Sequence, residues 1–105
     1  MLSGGHVGLA VRDVARAVRF YVETLGMKLV EEGPARSVLD AGDGFQVALV
    51  QGEPGNGSSL VVFGVRGAFD DVVAIFENRG VAFERVGSRL VRFEDPDGNA
   101  LALRG

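Results

Sequence analysis

The chain has one histidine, His6, and it is the residue best suited by type to acid–base work, since imidazoles as a class titrate near pH ~6.5. A histidine base needs an acidic group to orient it, and nothing in the sequence assigns one. The plainer reading is a histidine satisfied by backbone or exposed near the chain start. There is no cysteine, which excludes thiol catalysis, thiolate metal sites and any disulfide framework. The carboxylates have structural explanations of their own. Asp13 stands where a helix cap is expected, and Asp70 and Asp71 stand in the first turn of a second helix, where negative charge meets the positive end of the dipole. Asp97 belongs to a turn, Asp95-Pro96-Asp97-Gly98-Asn99. Arg36, Arg89 and Arg92 fall on short strands and face either solvent or a site. No Ser-His-Asp arrangement is supported, and neither glycine-rich segment reads as a phosphate loop.

The elements that would position these residues repeat along the chain. Shifting the sequence by 54 residues aligns Gly4–Gln51 with Ser58–Gly105 without a gap. It matches Val7/Val61, Val11/Val65, Arg12/Arg66, Val18/Val72, Glu23/Glu77, Gly26/Gly80, Gly33/Gly87, Asp43/Asp97, Gly44/Gly98, Ala48/Ala102 and Leu49/Leu103. Chance gives roughly three identities at this composition, so the eleven found indicate an internal repeat. Residues 52–57, Gly-Glu-Pro-Gly-Asn-Gly, read as the linker. Each copy reads as strand, helix, strand, strand, strand. In the first, Val7, Leu9 and Val11 alternate with smaller residues, and Val14, Val18, Tyr21 and Leu25 keep helical spacing up to Gly26, a left-handed cap. The expected helix is Val14–Leu25, with strands near Met27–Glu32, Arg36–Leu39 and Phe45–Gln51. The second copy has a strand at Leu60–Val65, a helix at Phe69–Arg79 and strands at Val81–Val86, Arg89–Phe93 and Ala100–Arg104. Tyr21 and most of the seven Phe fit core positions, with Phe45 and Phe93 left open.

Strand parity separates two faces. Val7, Leu9, Val11, Val47, Leu49, Val61, Phe63, Val65, Leu101 and Leu103 share one and are expected under the helices. The other carries His6, Gly8, Ala10, Gln46, Ala48, Val50, Leu60, Val62, Gly64, Ala100, Ala102 and Arg104, a set rich in small side chains. Such a face either receives a bulky ligand or is filled by other protein. The middle strands do not alternate cleanly, and their facing stays open.

Two βαβββ copies, the opening His-Val-Gly-Leu-Ala-Val-Arg-Asp (His6–Asp13), Phe20-Tyr21 followed by Leu25-Gly26, and the late Phe-Glu-Asp-Pro-Asp-Gly-Asn (Phe93–Asn99) resemble the vicinal oxygen chelate superfamily. That group includes glyoxalase I, extradiol dioxygenases, fosfomycin-modifying enzymes and bleomycin-resistance proteins. The resemblance covers nearly the whole chain. It implies an α+β fold in which tandem βαβββ modules form a curved eight-stranded, cup-shaped sheet with helices outside. It implies one domain over residues 1–105, with repeat 1 at about 4–51, linker 52–57 and repeat 2 at about 58–105. In metal-using members the first and fourth strands of each copy supply His or Glu ligands. Those positions are His6, Ala48, Leu60 and Ala102 here, so one ligand of four is present, too few to hold a divalent ion tightly.

The resemblance is therefore nearest to the metal-free bleomycin-resistance-like branch. It implies a binding protein without cofactor or metal that sequesters an organic, cationic or antibiotic-like ligand, with His6, Gln46, Ala48, Leu60, Val62, Arg92 and Ala102 lining the cup. Members of that branch are homodimers. The competing reading, from another class, is a divalent-metal lyase, isomerase or dioxygenase in which Glu31, Asp40, Glu53 or Glu94 substitute as ligands. A third is a closed cup that serves only as an interaction module. A net charge of −3 is the wrong sign for a nucleic-acid binder. With no signal-like or membrane-spanning stretch, the expected location is the cytoplasm.

Overall fold

The structure, a computed structural model, describes residues 1–55 and 60–105. The chain divides into two compact units, Met1–Gly55 and Asn56–Gly105. The last two linker positions expected, 56 and 57, lie outside the described residues, as do positions 58 and 59 of the second copy.

The first unit runs β1 (His6–Val11), α1 (Val14–Arg19) with a π-helical turn over Phe20–Thr24, β2 (Lys28–Glu31), β3 (Arg36–Asp40) and β4 (Gln46–Gln51). The helix starts where the Asp13 side chain accepts from the Arg16 amide at 3.1 Å, satisfying one of the donors that a helix leaves unpaired at its N-terminus. It ends at Gly26, whose φ of 76° a side chain would strain. The expected helix over Val14–Leu25 is thus present in length, but its second half widens: the Leu25 amide reaches back five residues to the Phe20 carbonyl at 3.2 Å. The strands form one sheet in the order β1-β4-β3-β2. β1 and β4 are parallel and the other pairs antiparallel. The parallel pair needs a crossover, and α1 supplies it, packing on β4 and β3.

The second unit runs β5 (Leu60–Gly64), α2 (Phe69–Asn78), β6 (Phe83–Arg85), β7 (Leu90–Glu94) and β8 (Ala100–Arg104), in sheet order β5-β8-β7-β6. Its first strand stops at Gly64, one residue short of the expected Val65. The β5–β8 and β7–β8 registers are those of the first unit displaced by 54: His6 faces Gln46 and Leu60 faces Ala100, while Arg36 faces Val50 and Leu90 faces Arg104. β6–β7 lacks the bulge of β2–β3, so that Arg85 faces Val91 whereas Glu31 faces Val38. The eight expected strands are present, as two sheets of four.

Each sheet packs one face under its helix. Under α1 lie Leu9, Val11, Leu39, Val47 and Leu49, with Val14, Ala17 and Tyr21 on the helical segment. In the second unit Val61, Phe63, Val91, Phe93, Leu101 and Leu103 are buried with Val73 and Phe76 of α2. The Phe76 ring meets Phe93 edge-on at 4.9 Å and Phe83 at 6.1 Å, a geometry aromatic quadrupoles favour. Phe93 is thereby a core residue, whereas Phe45 is 40% exposed. No described helix is long and apolar enough to cross a membrane.

Candidate functional site

Residues paired directly across a sheet point to the same side, so the register lays out the face turned away from each helix. On the first sheet one row reads His6, Gln46, Asp40, Lys28; the next reads Gly8, Ala48, Val38, Glu31; the third reads Ala10, Val50, Arg36. The face has a polar row at one end and a floor of short or aliphatic side chains. A bulge between Leu29 and Glu31 brings Lys28 and Glu31 to the same side although they are three residues apart. Ala48 is 1% exposed, its methyl sunk among neighbouring strands. Val50 stands 40% exposed beside it, and a Cβ built on Gly8 meets no heavy atom within 4 Å.

On the second sheet the rows are Leu60, Ala100, Glu94, then Val62, Ala102, Arg92, Glu84, then Gly64, Arg104, Leu90. Leu60 and Val62 are exposed although apolar, and Ala102 is fully buried. Exposed aliphatics on a sheet face, beside glycine and alanine and within a strand or two of a guanidinium, can bury the flat part of a small molecule and orient its polar edge.

Every expected lining residue therefore falls on the face turned away from the helices: His6, Gln46 and Ala48 on the first sheet, and Leu60, Val62, Arg92 and Ala102 on the second. Arg92 faces this side and Arg36 does likewise, which the sequence left open. Reading the sequence missed Asp40 as a row-mate of His6. The buried Val38 on the same face, 4% exposed, broke the apolar–polar alternation that would have revealed it. Asp40 and His6 are two strands apart, ~10 Å along the row, with Gln46 between them. The Asp40 carboxylate already accepts from the Gly42 amide at 2.6 Å.

The carboxylates weighed as substitute metal ligands are dispersed. Glu31 pairs with Arg36 at 3.5 Å. Glu53 lies outside the strands and pairs with Arg12 at 3.8 Å, and Glu94 is on β7 of the second unit. Among the described residues no three His, Asp or Glu side chains come together as a metal site. Of the four positions that carry ligands in metal-using relatives, two are alanines and one is a leucine, so the residues present do not fit a divalent centre. Asp97 lies in the β7–β8 turn, but the carboxylate that ties that turn is Asp95. Its Oδ1 accepts from the Asp97 and Asn99 amides and its Oδ2 from the Asn99 side-chain amide, each at 2.9 Å.

These faces, the βαβββ order and the strand register can be set beside known proteins. The sequence pattern of the Glyoxalase/Bleomycin resistance protein/Dioxygenase superfamily matches residues 4–103, and the chain belongs to that family. No curated protein matches it in sequence. Among solved structures it is similar to TnmS3, an antibiotic binding protein from a Streptomyces species, with 25% identity, a TM-score of 0.81, and coverage of 99% of this chain and 95% of that one. A glyoxalase/bleomycin resistance protein from Streptomyces is 26% identical at a TM-score of 0.77, over 98% of this chain and all of the other. A virulence protein of Salmonella typhimurium is 25% identical at a TM-score of 0.81, over 98% and 95% of the two chains.

Proposed function

We propose that this protein is a metal-free binding protein that sequesters a flat organic molecule of the antibiotic-like kind, and that it works as a cytoplasmic homodimer. The observation that carries the reading is the make-up of the faces turned away from the helices. Their floor is glycine, alanine and exposed aliphatic side chains, with polar groups at the ends of rows and one imidazole among the four positions at which the resemblance to metal-using members implies ligands. The likeness in fold to an antibiotic-binding protein supports it.

Affinity comes from burial of apolar ligand surface on this floor, at ~25 cal/mol per Å². His6 and Gln46 on the first sheet's face, and Arg92 on the second's, are the groups available for directed contacts. Removal from its target is the whole effect on the ligand, and no bond is made or broken. Ala48 and Ala102 act by being short.

The deciding experiment has two arms. Protein incubated with Zn, Ni, Mn or Fe(II) and desalted retains less than about a tenth of an ion per chain, because one imidazole gives too few converging donors. Planar cationic and neutral aromatic compounds are then screened by thermal melting, where a ligand at a hundred times its Kd stabilises by about 2.7 kcal/mol. One retained ion per chain overturns the reading in favour of a metal enzyme with substituted ligands. Absence of any stabilising compound favours a closed interaction module.

A further inference from the structure

A second place for a ligand lies on the opposite side of the first sheet, between α1 and the β2–β3 turn. Val14, Ala15 and Val18 form one wall, Gly33 and Pro34 the other, and Ser37 lies beneath, enclosing a groove of 870 Å³. It has depth: Ser37 is fully buried and Val14 is 4% exposed, while Ala15 and Pro34 are at the exposed rim. The Ser37 hydroxyl is held by the Gly33 backbone, accepting from its amide at 3.3 Å and donating to its carbonyl at 3.4 Å, so the bottom of the groove makes no demand for water.

The second unit shows what such a groove takes. The 54-residue displacement carries Ala15 onto Phe69, Glu31 onto Arg85, Arg16 onto Asp70 and Pro34 onto Ser88. Phe69 is half-buried at the start of α2. Its ring lies so close to β8 that a Cβ on Gly105 would come within 3.0 Å of it. The Arg85 guanidinium sits over that ring at 5.9 Å and is fixed by Asp70 at 2.6 Å and by the Ser88 carbonyl at 3.3 Å. An aromatic ring thus projects from the helix start, under a cation that the Ser88 carbonyl of the following turn holds. In the first unit the residue at that position ends at Cβ, and the counterpart of Arg85 is a glutamate turned to Arg36.

We propose that the groove of the first unit is a binding site for a small aromatic molecule, whose ring takes the place that the Phe69 ring fills in the second unit. The volume lies within the range of small-ligand sites, roughly 300–1,000 Å³. Arg19, which also lines the groove, gives the ring a cation to lie against, as Arg85 does for Phe69. A protein partner would need a face of ~800 Å², whereas the occupied counterpart is a single ring. The inference does not depend on the sequestration proposed for the other face.

The test is a titration of the ¹⁵N-labelled protein with indole, followed by amide chemical shifts, with cyclohexanol as the non-aromatic control. Indole moves the Ala15, Val18, Gly33 and Ser37 amides saturably, and cyclohexanol does so at least about tenfold more weakly, a gap of ~1.4 kcal/mol. Ala15→Phe supplies the missing ring from within and abolishes those shifts, while a compound bound at His6 and Gln46 still binds. Ala15→Leu, a milder filling, weakens indole in the same direction. No saturable shift at these amides overturns the proposal, and so does indole binding unchanged in both variants. Loss of a dimer in Ala15→Phe without indole binding to the parent protein also overturns it, by assigning the groove to a second copy.

Discussion

Gly8 lies in β1 beside Ala48, and open space stands above it where a side chain would project. Its φ is not among the positive values found at other glycines, so a β-branched residue fits the strand there and improves its local preference. Gly8→Val therefore leaves the melting temperature unchanged or slightly higher and, on the binding role proposed above, weakens the aromatic compound found by the melting screen by more than about tenfold, ~1.4 kcal/mol, which calorimetry checks. Equal loss of stability and binding would mean that the face is packed rather than open. The facing of His6 and Gln46 was legible in the sequence because β1 sets Val7, Leu9 and Val11 against His6, Gly8 and Ala10, and β4 sets Val47 and Leu49 against Gln46 and Ala48. That of Asp40 and Arg36 was not, since β3 has apolar residues on both sides and is buried at Ser37, Val38 and Leu39 alike.

At the scale of elements, the β7–β8 turn hangs on one carboxylate. Asp95 is 5% exposed and accepts three hydrogen bonds from Asp97 and Asn99. Asp95→Ala leaves those donors without that acceptor and costs roughly 1–3 kcal/mol, read as a lower urea midpoint with an unchanged slope. Asp95→Asn, which keeps an acceptor oxygen, loses less. Composition marked this segment as a turn but did not tell which aspartate ties it. Helix ends were more legible. Gly26 and Gly80 follow helical periodicity and both take the left-handed conformation, at 76° and 70°. The π-helical turn over Phe20–Thr24 left no trace, because Val14, Val18, Tyr21 and Leu25 keep ordinary α-helical spacing across it. It closes on Tyr21, fully buried, whose carbonyl accepts from Met27 at 3.0 Å.

For the molecule as a whole, the 54-residue displacement made the topology legible: the same offset that aligns the sequences carries the β1–β4 register onto β5–β8 and the β3–β4 register onto β7–β8. It could not show where the two halves differ in filling. The exchange of Ala15 for Phe69 is visible as letters, but only the coordinates connect it with a groove. The homodimer proposed above predicts a sedimenting species of twice the chain mass at micromolar concentration. A single-chain mass there would remove the second subunit from any account of the ligand site.

The bulge in β2 has a bearing on how such a protein survives in quantity. An unpaired strand at a sheet's margin is a template for cross-β stacking. β2 is broken between Leu29 and Glu31 and carries Lys28 and Glu31 on one side, and β6, the corresponding margin of the second sheet, is three residues long. Capture without turnover is stoichiometric, so a sequestering protein must accumulate to the concentration of what it captures. Two of the four sheet margins thus resist fibril growth, a solubility provision suited to the sequestration proposed above.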